Sequence, residues 1–141
     1  MPAPSDRNAR IALAKGWTVK SNPALDLRGQ PIIWKGMPAY KHAWYTPGGK
    51  YHGDTSPDYV GTLEGVAGMM RELQARRRPM SQWAWYWNDR KQRFEMRYAA
   101  WRRSLFRRQV LAVFHSPSDR PGDCVGDAYL AMKEGADAST E

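Results

Sequence analysis

The sequence is short of the side chains that most often carry metal and nucleophile chemistry, with one cysteine, Cys124, and three histidines, His42, His52 and His115. A lone cysteine cannot close an internal disulfide or build a multi-cysteine zinc site, which fits a reducing compartment. No apolar run approaches the roughly 18 residues that span a bilayer, and the opening MPAPSDRNAR lacks the apolar stretch of a secretory signal. The chain is therefore expected in the cytoplasm and off the membrane. Also missing are a Walker A motif, GxGxxG after a strand, GxSxG and HExxH, so an enzyme is disfavoured and no cofactor is expected.

Acidic residues are few as well, 14 against 22 lysines and arginines, for a net charge of +8. The excess is local. Residues 71–108 hold eleven arginines and one lysine against Glu72, Asp89 and Glu95, a net of +9, whereas residues 112–141 carry two basic and six acidic side chains, a net of −4. Such asymmetry points to an anionic partner: nucleotide, nucleic acid or an acidic protein surface. At 141 residues and 42% hydrophobic content, the chain can supply one core and reads as a single domain.

Ser5-Asp6 can cap a helix over Arg7–Lys15, ended by Gly16, after which 18–29 reads as loop. Ile32 to Lys35 is a short strand candidate, and Trp44-Tyr45 enters a turn at Thr46-Pro47-Gly48-Gly49, giving a small ribbon. Leu63, Val66, Met70 and Leu73 predict a helix from Thr62 to about Arg77, stopped by Pro79. Gly61, Gly65 and Gly68 lie along one side of it, a costly choice that close packing against a sheet would offset. Its N-terminus at Gly61-Thr62 offers free amides to an anion.

Gln82 to Trp87 alternates as a strand, with Trp83, Trp85 and Trp87 on one face. Phe94, Met96 and Tyr98 also alternate, but Phe94, Tyr98, Trp101 and Leu105 fit a helical stripe equally well. Gln109 to His115 has strand character. Asp119 to Lys133 reads as a helix after Pro121, with Val125, Ala128, Tyr129 and Met132 inward, and 135–141 as a flexible tail.

The chain resembles the phage ABA sandwich domain family, small accessory proteins of tailed phages and prophages, through Ala14-Lys15-Gly16-Trp17, the Trp44 to Gly49 ribbon, Pro57-Asp58-Tyr59 before a helix, and the closing strand, proline turn and small-residue helix from Val110 to Met132. The resemblance implies an α+β fold: an antiparallel sheet of about three strands between helices, an α/β/α sandwich, with a short extra β-ribbon near residues 32–52. It makes 82–87 and 93–99 a hairpin across Asn88 to Lys91 and 109–115 the third strand. Trp101 to Arg108 departs from the pattern. Family members generally lack an assigned activity.

Other constellations give less. His42, His52 and Asp54 lack metal-ligand spacing, and loop polarity accounts for them. His115 and Cys124 could be imagined as base and nucleophile, oriented by Asp119, Asp123 or Asp127, yet nothing local activates the thiol. The tryptophan row is adequate core material for a sheet face under helices, and could instead stack a ligand. The opposite face would be Gln82, Ala84, Tyr86, Arg93, Glu95 and Arg97.

Three arginine clusters flank the strands: Arg76-Arg77-Arg78, Arg102-Arg103 and Arg107-Arg108. The hairpin would bring the first two to one end of the sheet, beside Trp101 and Phe106, combining phosphate-binding forks with rings that stack bases. The expected function is that of a non-enzymatic phage accessory protein binding an anionic partner through this rim, opposing a host defence by sequestering a nucleotide signal or occluding a defence complex. The alternative is a DNA- or RNA-binding module in phage replication or regulation. A homo-oligomer is compatible with either.

Overall fold

Turn-forming and polar residues divide the chain into short elements in the computed structural model, which describes residues 6–103 and 106–138. In chain order these are α1 (Arg7–Ala14), β1 (Thr18–Pro23), β2 (Ile33–Trp34), β3 (Met37–Pro38), β4 (Tyr40–Tyr45), β5 (Tyr51–Gly53), α2 (Leu63–Ala75), β6 (Ser81–Asn88), β7 (Arg93–Arg102), β8 (Arg107–Ser116) and α3 (Asp123–Ala138). They group into two compact units, Ala12–Pro57 and Met1–Ile11 with Asp58–Glu141.

In the Ala12–Pro57 unit the strands form a sheet in the order β1-β4-β5 and a separate β2-β3 pair, all antiparallel. The stretch 18–29, expected to be loop, contains β1. Its sequence TVKSNP has no apolar alternation, and it becomes a strand by pairing with β4, Thr18 opposite Tyr45 and Pro23 opposite Tyr40. The β2-β3 hairpin turns on Lys35 and Gly36, both at positive φ (52° and 78°). Two such residues give the turn twist that suits a two-residue hairpin, and glycine takes the second at no steric cost.

In the other unit β6, β7 and β8 form one antiparallel sheet in that order. Ser81 lies opposite Ala100 and Asn88 opposite Arg93, while Phe94 lies opposite Ser116 and Arg102 opposite Arg107, with a bulge at Tyr98/Ala99. Residues 93–102 are thus strand rather than helix, because every residue of β6 pairs with them. The register puts Trp83, Trp85, Trp87, Phe94, Met96 and Tyr98 on one face. Helices cover that face. The Trp85 indole N–H donates to the Pro121 carbonyl at 3.1 Å, the Gln74 amide donates to the Trp83 carbonyl at 2.9 Å, and Met96 and Ser116 are buried.

Helix α3 is tied to α1 by Arg7, which reaches Asp123 at 3.0 Å and Asp127 at 2.7 Å, and to α2 by Lys133 and Glu72 at 4.0 Å. Ile11, Met69, Leu73, Met96, Val125 and Tyr129 are fully buried in the core. Asp6 caps α1 by accepting the Asn8 amide, and Ser5 lies outside the described residues. Helix α2 ends at Ala75, and its glycines do not meet a sheet: Gly65 lies against the backbone of Tyr59, in the loop leading into the helix. Helix α3 continues to Ala138, through residues expected to be tail; 139–141 lie outside the described residues.

The α/β/α sandwich does not form. Three small antiparallel sheets stand in place of one, strand exceeds helix (38% against 27%), and the β6-β7-β8 sheet has helices on its tryptophan face. Gln82, Ala84, Val113 and His115 on the opposite face remain exposed. The physical reason is visible in the pairing: α2 and α3 pack against each other as well as the sheet, and a face bearing Arg93, Glu95 and Arg97 offers no apolar bed to a second helix layer.

Candidate functional site

The antiparallel register brings the end of β7 beside the starts of β6 and β8, so the segments flanking them share one end of the sheet. The loop after α2 is stitched to that end: the Trp101 amide donates to the Met80 carbonyl at 2.8 Å, and the Arg78 amide donates to the Tyr98 hydroxyl at 3.1 Å. Arg76 caps α2, its amide donating to the Glu72 carbonyl, and the Arg77 guanidinium folds back onto the Gln74 carbonyl at 2.6 Å. Arg102 Nε donates to Gln109 Oε1 at 2.7 Å, Arg107 lies opposite it, and Arg108 lies opposite Trp101. The Arg103 carbonyl accepts the Phe106 amide at the hairpin tip, where Phe106 sits at a φ of 49°.

All three expected arginine clusters therefore lie at one end of the sheet. The stretches 76–80 and 100–109 contain seven arginines and no acidic residue. Among the described residues Arg77, Arg78, Arg102, Arg103, Arg107 and Arg108 make no ion pair with a carboxylate. Trp101 is 41% exposed and Phe106 84% exposed, so both rings of the expected site face solvent.

The anion seat expected at Gly61 and Thr62 is instead served from within the chain. The Gly61 amide donates to Asp58 Oδ1 at 2.8 Å, the amides of Tyr59 and Val60 donate to Asn8 Oδ1, and the Thr62 hydroxyl accepts the Gly65 amide. A carboxylate already at the helix entrance repels a second anion, so these residues do not join the rim.

The open face of the sheet holds the residues expected opposite the tryptophans, and within them a buried, paired carboxylate that was not expected. Glu95 is 1% exposed; Asn88 Nδ2 donates to its two oxygens at 2.9 and 3.2 Å, while Arg93 and Arg97 stand at 3.9 and 3.8 Å. Burial works against its ionisation, but the Asn88 hydrogen bond and the charges of Arg93, Arg97 and Lys91 outweigh it and hold the carboxyl below its usual pKa. The Arg97 guanidinium lies over the Tyr86 ring, 5.3 Å from its centroid. The signal was present as Arg-x-Glu-x-Arg on a strand, since alternate residues share a face.

The remaining candidates come apart. His42 Nδ1 pairs with the Ser21 hydroxyl at 2.8 Å, and His52 sits edge-on against Trp17, 5.0 Å between centroids. Among the described residues no three His, Cys, Asp or Glu side chains converge as metal ligands. His115 lies opposite Glu95 on the open face, whereas Cys124 is buried in α3, with the Pro121 carbonyl at 3.4 Å, so the sheet stands between them. Burial pushes the Cys124 thiol up, away from the reactive thiolate. The tryptophans grade outward, from Trp85, half-buried under Pro121, to Trp87 at 37% exposure.

No family model, no curated protein and no solved structure matches the chain. No helix among the described residues is long and apolar enough to cross a membrane.

Proposed function

We propose that the protein acts by binding, without catalysis, and that its partner is nucleic acid held at the arginine-rich end of the β6-β7-β8 sheet. The observation that carries this reading is the gathering of seven arginines, from two stretches that each hold no acidic residue, around two exposed aromatic rings. Six of the seven, all but Arg76, make no ion pair with a carboxylate among the described residues, and apart from the donors that Arg77 gives to the Gln74 carbonyl and Arg102 to Gln109 their forks remain available to phosphate. Exposed Trp101 and Phe106 add surfaces on which bases stack. Arginines spread over three segments, 76–78, 102–103 and 107–108, suit an extended polyanion. An accessory role in a phage, as the family resemblance implies, asks nothing more of the chain than such a binding surface.

Fluorescence anisotropy with labelled oligonucleotides tests the reading. The wild type should bind, and Arg102→Glu combined with Arg103→Glu should abolish binding while leaving the melting temperature within a few degrees, because exposed arginines contribute little to stability. Unchanged affinity in the double variant would refute a role for the rim.

A further inference from the structure

The open face of the sheet continues from the rim without interruption. Down β7 the residues facing away from the helices are Trp101, Ala99, Arg97, Glu95 and Arg93; their register partners include Arg108 opposite Trp101 and Tyr86 opposite Glu95. Three arginines face one acid along this line, and that acid is buried beneath them. Glu95 takes its hydrogen bonds from Asn88 and, at 3.5 Å, from the Tyr86 hydroxyl, and Arg93 and Arg97 stand at ion-pair rather than hydrogen-bond distance from it. The Nε atoms of both arginines find no acceptor among the described residues. Both Nε atoms are buried, while the arginine side chains as a whole stay 28% and 39% exposed.

We infer that this face is the track for a single strand of nucleic acid, entering at the rim and running toward Arg93, a deduction that rests on the rim reading above. Charge complementarity chooses the occupant: phosphates meet Arg108, Arg97 and Arg93, which recur along the line. Bases meet Trp101 at one end, and near the middle they meet the Arg97 and Tyr86 pair, a guanidinium plane over a phenol ring. From Trp101 to Arg93 the strand runs roughly 27 Å at about 3.4 Å per residue, room for a short strand at the lower end of the usual site sizes of about 4–16 nucleotides. A duplex has its bases stacked and paired within itself and cannot use the rings, so it engages only the arginines of the rim. Glu95 is a positioning residue, because it sets the two guanidiniums without facing the strand.

The test compares binding of one 12-nucleotide single strand and its duplex by anisotropy, for wild type, Tyr86→Leu, Arg97→Gln and Trp101→Leu, each checked for folding by circular dichroism. The wild type should prefer the single strand. Each substitution should cut single-strand affinity roughly tenfold and so shrink the preference for the single strand over the duplex. Trp101→Leu, at an exposed position, keeps the test valid if a substitution near Glu95 unfolds the chain. Equal affinity for both forms, with no effect of the folded variants, would overturn the track while leaving the rim intact; failure to bind either form would overturn the rim and the track together.

Discussion

Replacing Glu95 by Gln keeps the shape at the centre of the open sheet face and removes the charge. In the wild type that charge accepts two hydrogen bonds from Asn88 and faces Arg93 and Arg97 at 3.9 and 3.8 Å. Two unit charges at 4 Å attract by about 4 kcal/mol in an effective dielectric of about 20. Most of that gross value is cancelled by desolvation of the carboxylate and by solvent screening of the partly exposed guanidiniums. Hydrogen bonds to charged groups typically net about 1.5–3 kcal/mol, so a loss of about 2 kcal/mol is expected at pH 7. Because folding lowers the pKa of Glu95, this stability is complete above the usual glutamate pKa of about 4.3 and is lost as the pH falls through the lower folded value. Urea denaturation of both proteins at pH 7 and near pH 3 reads the difference. The gap should be wide at pH 7 and narrow in acid. Equal stability at pH 7, or a gap that widens as the pH falls, would refute the argument that Glu95 is a paired, ionised group.

Two further perturbations test the packing. A Cβ at Gly122, in the turn before α3, would collide with the Val60 carbonyl and press on the Val66 side chain, so Gly122→Ala should cost about 1–3 kcal/mol, whereas Gly135→Ala, in open space within α3, should gain about 0.5–1 kcal/mol; thermal melts read both. Trp85→Ala removes a ring that packs under Pro121 and hydrogen-bonds to it and should cost about 3–5 kcal/mol, while Trp87→Ala, 37% exposed, should cost less than half as much by the same measure.

What could be read from the sequence was whatever local periodicity encodes. Trp83, Trp85 and Trp87 announced a strand with an aromatic face, and Leu63, Val66, Met70 and Leu73 announced a helix; both elements stand there, although the helix buries Met69 rather than Met70 and leaves Leu63 exposed. Residues 93–101 fitted two periods at once, and the β6 pairing, which is non-local, decides for strand. The same limit hid β1, a polar segment that β4 makes into a strand. Alternation says that a strand has two faces but not which one the helices cover, and the second helix layer that the family resemblance implied is absent where the sheet is open. Among the site residues, the arginine clusters were legible as composition and their shared location followed from the hairpin. Glu95 was placed on its face, but its burial was not legible because it depends on Asn88, Arg93 and Arg97 converging from two strands. Gly61 and Thr62 misled because their amides are met by Asp58 and Asn8, and Asn8 lies about fifty residues away in sequence.

The salt dependence of single-strand binding reaches the central claim most directly. If four rim arginines neutralise phosphates, log affinity should fall with log salt at a slope of about 3, and Arg107→Gln combined with Arg108→Gln should reduce that slope by about 1.4. A slope near zero, or one that the double substitution leaves unchanged, would contradict a phosphate-binding role for the arginine-rich end of the sheet.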